Sequence, residues 1–129
     1  MDTEGQITYW CIGSDEDWDV AVELLKAEKI RHALFFLHLA MEKMLKAHVC
    51  RATGEQPPRI HDLVRLANRA GLDLPEAWLL LLGRMNAFCL MGRYPGNPTT
   101  QNISTDIAHR YLREAQEVRT WLQQKLSTP

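Results

Sequence analysis

The chain has 129 residues, of which 46% are hydrophobic and 24% are charged, values that indicate one globular domain. A net charge of −1 excludes the strongly basic surface of many nucleic-acid-binding proteins, although a local basic patch is compatible with it. The three cysteines are widely spaced, which excludes a disulfide framework or a Cys-rich zinc site and predicts reduced thiols in a cytoplasmic protein. No apolar run has the roughly 18 residues of a membrane span, and the first residues lack the pattern of a signal peptide, so we expect no membrane contact.

Residues 1–13 have no helical period and are expected to form an N-terminal tail or a short strand. Ser14 follows them and precedes a run of acidic residues, a pattern typical of a capped helix N-terminus. Apolar residues then recur at helical spacing, among them Trp18 and Leu25. The sequence therefore predicts a first helix over residues 14–28.

A second helix is predicted to end near Thr53. Its segment 33–47 is apolar on most of its circumference, which is typical of a helix surrounded by neighbours at the centre of a fold. His38, Glu42 and Lys46 nevertheless form a row at positions i, i+4 and i+8. Polar groups inside such a helix cost free energy unless they are paired, so this row is a candidate for chemistry.

The sequence leaves two interpretations of Glu42 open. Glu42 and Lys46 can pair along the helix, which contributes about 0.2–0.5 kcal/mol. Alternatively, Glu42 faces inward and anchors a cation from another helix. Our candidate cation is Arg93, because a guanidinium binds a carboxylate through two parallel hydrogen bonds. The second interpretation therefore predicts a structural ion pair between Glu42 and Arg93.

The rest of the chain predicts a loop over residues 53–60, which contains a glycine and two prolines, and then three more helices. These helices are expected over residues 61–70, 75–93 and 104–126. The last one has an apolar repeat close to a coiled-coil seam, at Ala108, Tyr111, Ala115, Val118 and Leu122. We therefore expect an all-α protein: an antiparallel helical bundle of about five helices with a four-helix up-and-down core. The bundle would occupy residues 14–126, and residues 127–129 would form a C-terminal tail.

Three sequence blocks occur in a specific order: HLAMEKMLKA (His38–Ala47), PPRIHDLVRLA (Pro57–Ala67) and RYPGN (Arg93–Asn97). In this order and spacing, they resemble the HEPN domain family of bacteria and archaea. The resemblance implies an antiparallel helical bundle that usually forms a homodimer and is implicated in nucleotide or RNA binding. It also implies a possible nucleotidyltransferase partner protein, since many members are encoded beside a minimal nucleotidyltransferase, as toxin and antitoxin or as a two-part enzyme.

Many members of the family are metal-independent RNases, and the resemblance implies for them an R-x4–6-H motif near the start of a late helix. In this sequence, 15 residues separate Arg93 from the next histidine, His109. Arg31 and His38 have six residues between them, but they lie early in the second helix, and we interpret this match as a coincidence. The usual RNA-cleaving chemistry of the family is therefore not predicted, and the interpretation leans away from an enzyme.

Arg93 and Tyr94 are the first candidates for ligand binding, Arg93 for a phosphate and Tyr94 for stacking on a base or as a modifiable hydroxyl. A helix end closed by a tyrosine is the structural alternative. Either His61 or Asp62 caps the third helix, or His61 turns toward the cleft as a proton-transfer group. The full set of candidate nucleotide- or nucleic-acid-binding residues is Arg93, Tyr94, Lys46, His61 and Asn86.

No metal site or cofactor is expected, because the five histidines have no H-E-x-x-H or H-x-x-E-H spacing. Basic residues are concentrated between positions 43 and 69, which favours an anionic partner or only a solvated surface. The first hypothesis is a HEPN-like domain that binds a nucleotide or nucleic acid as the accessory or toxin-like partner of a nucleotidyltransferase. The alternatives are a divergent endoribonuclease that uses Arg93 with His61 or His38, and a dimerising helical domain without a ligand.

Overall fold

The computed structural model describes residues 2–91 and 103–128, which contain five helices of at least seven residues and one helix of a single turn. The helices are α1 Thr3–Lys26, α2 Ile30–Thr53, α3 Leu63–Arg69, α4 Glu76–Met85, α5 Phe88–Met91 and α6 Thr105–Ser127. No strand occurs in these described ranges. The all-α helical bundle predicted from the sequence is therefore confirmed.

Helices α1 and α2 form an antiparallel hairpin, because only residues 27–29 connect them. The side chain of Asp2 caps α1 by accepting a hydrogen bond from the backbone N–H of Gly5 at 2.7 Å. In the connection, Glu28 has a φ of 59°, a left-handed conformation that is uncommon for a residue with a Cβ atom. This short reversal holds the two longest helices against each other along their length.

The prediction of a tail or short strand over residues 1–13, with a first helix beginning at Ser14, is wrong, because α1 begins at Thr3. Ser14 is buried in the middle of α1, where its Oγ donates a hydrogen bond to the carbonyl oxygen of Ala40 at 2.7 Å. The buried stripe of α1 continues through Ser14 toward the half-buried Ile7 at helical spacing. A serine in the middle of that stripe concealed its continuity in the sequence.

Helix α2 is the centre of the fold, as the sequence predicted, and it packs against α1, α3, α5 and α6. Between residues 40 and 50, only Lys43 is not buried. The helix ends at Gly54, whose φ of 71° is left-handed and whose N–H donates to the carbonyl of Cys50. Because α2 is covered on nearly every side, any polar side chain on it needs a partner within the protein.

Helix α3 begins at Asp62, whose Oδ1 accepts hydrogen bonds from the backbone N–H groups of Val64 and Arg65. The prediction of one continuous helix over residues 75–93 is wrong, because α4 ends at Met85 and the single turn α5 follows. At this interruption the side chain of Asn86 bonds to another element instead of pointing to solvent, as described below. Competition of this kind between an Asn side chain and regular helix structure is common.

Helix α6 packs onto α2 through the inner positions of the predicted seam: Ala108, Ala115, Val118 and Leu122 are buried and Tyr111 is half-buried. The last turns of the two helices lie together, since Nε2 of His48 is 2.9 Å from the carbonyl oxygen of Leu122. The guanidinium of Arg51 donates to the carbonyls of Leu126 and Thr128. Helix α6 ends at Ser127. The predicted C-terminal tail of residues 127–129 is therefore wrong at its first residue, which belongs to the helix.

Candidate functional site

Glu42, in the middle of α2, is the centre of a buried polar cluster. Only 4% of the residue is exposed, yet both carboxylate oxygens are bound. Oε2 accepts a hydrogen bond from Nζ of Lys46 at 3.0 Å, and Oε1 accepts one from Nδ1 of His61 at 3.0 Å. The pair along the helix and the inward orientation were alternatives in the sequence, and the structure contains both. A buried carboxylate with two cationic or donor partners avoids the cost of an unpaired charge.

His61 reaches Glu42 from the loop that precedes α3, and its side chain remains 48% exposed. Because a carboxylate only accepts hydrogen bonds, Nδ1 of His61 carries the proton of this bond and Nε2 is left as the free nitrogen of the ring. Asp62, rather than His61, caps α3. The arrangement gives the cluster one imidazole nitrogen that is oriented by a buried carboxylate and available for proton transfer.

His38 lies one turn before Glu42 on α2 and is completely buried. Its Nδ1 is 3.8 Å from Oε1 of Glu42, and neither ring nitrogen has a hydrogen-bond partner among the described residues. Burial lowers the pKa of His38, and the negative charge of Glu42 partly opposes this effect. His38 is therefore a neutral core residue beside the cluster, and no solvent-borne ligand reaches it without a structural change.

The side chain of Asn86 holds the segment that carries His61. Its Oδ1 accepts a hydrogen bond from the backbone N–H of Leu63 at 2.9 Å, and its Nδ2 donates to Oδ1 of Asp62 at 3.1 Å. Both functional groups of this amide are therefore occupied within the protein. Asn86 was a candidate ligand-binding residue in the sequence; in the structure it joins the end of α4 to the start of α3 and fixes the backbone next to His61.

Lys46 connects the buried cluster to a surface cleft. Its Nζ, held by Glu42, lies 5.3 Å from the centre of the Trp10 ring on α1, a distance typical of a cation–π contact. Beyond this contact is a cleft of about 220 Å³. The residues that line it are Gln6, Tyr9, Trp10, Lys46, Gln56, Pro57, Pro58 and Arg59. Aromatic and proline walls with two cations form a surface suited to a flat, anionic ligand.

The basic segment 43–69 is less available to a ligand than its sequence suggests. Lys43 pairs with Asp17 at 2.7 Å, and Lys46 and Arg51 have the internal partners described above. Arg59, Arg65 and Arg69 have no side-chain partner among the described residues. Of these three arginines, only Arg59 lines the cleft.

The structure brings together His38, Glu42, Lys46 and His61 of the sequence candidates. Arg93 and Tyr94 lie outside the described residues, so the Glu42–Arg93 ion pair and the binding role of these two residues stay predictions. Arg31, which forms a chance R-x6-H match with His38, donates to the carbonyl of Met91 at 3.1 Å. That match therefore joins an internally bound arginine to a buried histidine, which is not the arrangement of an open catalytic site.

The aromatic cleft was missed in the sequence. Tyr9 and Trp10 lie in the segment that was predicted to be a tail or a short strand. Pro57–Arg59 was predicted to lie in a loop, and neither proline was a candidate for binding. The available signal was the pair of adjacent aromatic residues, Tyr9 and Trp10, ahead of a run of acidic residues. Adjacent residues on a helix point in different directions, so the pair by itself does not define a surface. No local pattern links the pair to residues near position 58. Within residues 2–91 and 103–128, no cluster of three or more His, Cys, Asp or Glu side chains has the geometry of a metal site.

A sequence model of the HEPN domain matches residues 7–126. The chain belongs to the HEPN domain family. This match includes most of α1, in agreement with the corrected start of the bundle. None of the curated proteins matches the sequence. The crystal structure of an archaeal HEPN homologue superposes with a TM-score of 0.69 at 18% identity, covering 92% of this chain and 96% of the homologue, and at this identity it supports the fold alone. Among the described helices of this HEPN domain, none has the length and hydrophobicity needed to cross a membrane.

Proposed function

We propose that this HEPN domain binds a nucleotide, or the end of a single-stranded nucleic acid, in the cleft between α1 and the loop after α2. The observation that carries the proposal is the combination of the Tyr9 and Trp10 rings with Arg59, a cation without an internal partner among the described residues. Stacking of a base on an aromatic ring contributes about 1–3 kcal/mol. A guanidinium binds phosphate through two parallel hydrogen bonds.

Lys46 has a different role from Arg59 in this proposal. Its Nζ is already bound by Glu42 and packed over Trp10, so it supplies positive potential at the cleft floor and orients the ring on which a base stacks. Arg59 is exposed and free to follow a phosphate. Lys46 therefore keeps the cleft in the conformation that binds the ligand, and Arg59 contacts the ligand directly.

The test is fluorescence anisotropy with a fluorescein-labelled single-stranded hexanucleotide that carries a 5′-phosphate, competed with unlabelled AMP. Tyr9→Ala is expected to raise the Kd at least about fivefold, the loss of one stacked base, and Arg59→Ala about tenfold, the loss of a charged hydrogen bond. Arg65→Ala is the matched control, since Arg65 is exposed on α3 and does not line the cleft. Absence of wild-type binding at millimolar probe, or an equal loss in the control, contradicts the proposal.

We also propose that the domain acts as the accessory partner of a nucleotidyltransferase, as the family resemblance implies. The test begins with the genes adjacent to that of the domain, and absence of a nucleotidyltransferase among them contradicts the proposal. A nucleotidyltransferase found there is purified and mixed with the domain, and the mixture is resolved by size-exclusion chromatography. Co-elution in a defined ratio supports the partnership. Separate elution at about 50 µM of each protein, a concentration well above the Kd of a stable complex, contradicts it.

A divergent endoribonuclease is the second candidate function, and the Glu42–His61 hydrogen bond is the observation that favours it. An imidazole held by a buried carboxylate, with its other nitrogen free, is suited to take the proton of a ribose 2′-hydroxyl. His38 is completely buried, so His61 is the better candidate for this role. The test is incubation with mixed RNA in EDTA, with His61→Asn and Arg93→Ala alongside. Wild-type cleavage that both variants lose supports the enzyme, and intact RNA with wild type rejects it.

A further inference from the structure

A groove with a volume of about 330 Å³ lies between α4 and α6. The ring of Trp78, near the start of α4, lies 5.8 Å from the ring of Trp121 in α6. The ring of Phe88, just after α4, instead lies 4.9 Å from that of Tyr111, nearer the start of α6. The two helices that form the walls of the groove are therefore antiparallel.

The wall of the groove on α4 carries an apolar stripe. Ala77, Leu80, Leu81 and Arg84 line the groove, and their spacing of i, i+3, i+4 and i+7 places them on one face of the helix. Leu81 is only 5% exposed and forms the floor, whereas Leu80 is 55% exposed at the rim. This domain therefore covers only part of the stripe, and an apolar side chain of a partner that covers Leu80 would remove the rest from water.

The opposite wall, on α6, carries charge. Glu114 and Glu117 line the groove three residues apart, and both are exposed. Neither carboxylate has a hydrogen-bond or ion-pair partner among the described residues, and neither does the guanidinium of Arg84. The groove therefore has two unpaired negative charges on its α6 rim and one unpaired positive charge on its α4 rim.

The shape of this groove suits a third helix. Side chains of one helix pack into the groove between others at spacings of three and four residues, and peptides bound in this way are anchored at i, i+3 or i+4, and i+7. Residues 77–84 span roughly two turns of α4, which matches two or three such anchors. An extended segment would bring unpaired backbone groups against the apolar stripe, so a helix is the better occupant.

We propose that the groove between α4 and α6 binds an amphipathic helix of another protein, with apolar residues against Leu80 and basic residues opposite Glu114 and Glu117. An acidic residue on the other edge of that helix faces Arg84. The two rims fix the direction of the partner, because a reversed helix would place its cations at Arg84 and its anion at the glutamates. The inference does not rest on the proposed nucleotide binding, since no residue that lines this groove lines the nucleotide cleft.

The test uses the full chain and a fluorescein-labelled synthetic peptide of about 18 residues, which is hydrocarbon-stapled so that it is helical before binding. Its apolar stripe is flanked by lysines on one edge and by a glutamate on the other. Fluorescence anisotropy is expected to give a micromolar Kd. A second peptide, in which glutamates replace the lysines, is expected to bind at least about tenfold more weakly, because two attractive pairs at the rim become repulsive.

Reversal of the charges on the α6 rim should reverse this preference. With Glu114→Lys and Glu117→Lys combined, the lysine peptide is expected to lose at least about tenfold in affinity and the glutamate peptide to gain as much. The matched control combines Glu16→Lys with Asp19→Lys. It makes the same change in net charge at two exposed positions three residues apart on α1, and neither position lines the groove. The control should leave the preference for the lysine peptide unchanged.

The apolar wall is tested by Leu80→Ala, which should weaken the binding of both peptides about fivefold, because less apolar surface is buried. Val20→Ala is the matched control, since Val20 is 39% exposed on α1 and does not line the groove. Circular dichroism checks that each variant is folded. A wild-type dimer that Leu80→Ala dissociates would show that a second copy fills the groove, and would overturn the proposal.

The tryptophan indole N–H signals in heteronuclear NMR locate the bound peptide, after assignment by single Trp→Phe variants. The signals of Trp78, in the groove, and of Trp121, against it, are expected to shift. The signals of Trp10, in the nucleotide cleft, and of Trp18 are expected to stay in place. No binding at about 1 mM peptide, a shift of Trp10 without Trp78, or an equal response of a control variant overturns the proposal.

Discussion

Nδ1 of His61 donates a hydrogen bond to Oε1 of Glu42 at 3.0 Å, although the two residues are 19 positions apart in the chain, with a proline-containing loop between them. This bond ties the loop before α3 to the central helix. It also joins a residue that is half exposed to one that is almost completely buried. The same carboxylate therefore holds the loop before α3 and Lys46, a residue that lines the surface cleft.

We predict that Glu42→Gln lowers the free energy of unfolding by about 3 kcal/mol. The variant leaves Lys46 buried without a charged partner, for which the usual cost is about 3–5 kcal/mol, and the amide oxygen still accepts one hydrogen bond. Urea denaturation measures the change. Glu23→Gln is the control, since Glu23 and Lys26 form an exposed pair at 3.4 Å, and its effect should stay below about 1 kcal/mol. Equal effects of the two substitutions would show that the buried cluster is not a stability element.

We predict that Asp62→Ala lowers the free energy of unfolding by about 0.5–2 kcal/mol, the usual cost of losing an N-cap. Asn86→Ala should have an effect of similar size, because Leu63 N–H then loses its acceptor. The double variant should lose less than the sum of the two, since both residues share one hydrogen bond. Asp73→Ala, at an exposed loop position, is the control. Strict additivity in the double-mutant cycle would contradict the shared bond.

The stability of the domain should fall as the pH drops below about 6.5. Burial lowers the pKa of both His38 and His48 in the folded protein, whereas histidines of the unfolded chain titrate near 6.5. Above that pH both states are neutral. Below it the unfolded chain binds protons first, so the free energy of unfolding decreases by at most about 1.4 kcal/mol per pH unit for each histidine.

Urea titrations at several pH values between about 7.5 and 5.5 measure this dependence. His48→Gln is the informative variant, because the glutamine amide can still donate to the carbonyl of Leu122 but does not titrate. Its stability should change less with pH than that of wild type. If the two pH profiles have the same slope, His48 is not one of the groups responsible.

Two positions with positive φ should respond in opposite directions. Gly54 ends α2 with a φ of 71°, so Gly54→Ala should lower the free energy of unfolding by about 1 kcal/mol. Glu28 has a φ of 59°, so Glu28→Gly removes a strained conformation and should leave this free energy unchanged or raise it by up to about 1 kcal/mol. Thermal unfolding compares the two, and a loss above about 0.5 kcal/mol in Glu28→Gly would contradict the left-handed conformation.

The amino-acid sequence by itself determined the helices whose apolar residues repeat without interruption. Helix α2 and the inner seam of α6 follow directly from such repeats, whereas the inward position of Glu42 was one of two interpretations that the sequence left open. These features depend on the period of 3.6 residues within one segment, which is local information. The family resemblance rests on short blocks of neighbouring residues, which is also local information, and the match of the family model confirmed it.

The tertiary structure alone decided which residues meet. The first half of α1 packs onto α2 although Ser14 interrupts its apolar stripe, because the buried Ser14 hydroxyl donates a hydrogen bond to the carbonyl of Ala40. The cleft exists because α1 places Tyr9 and Trp10 against the loop at Pro57–Arg59, about 50 residues away in the chain. The packing of the loop before α3 against α2 likewise brings His61 to Glu42. Contacts between distant segments depend on how the helices pack, and no periodic pattern within a single segment records that packing.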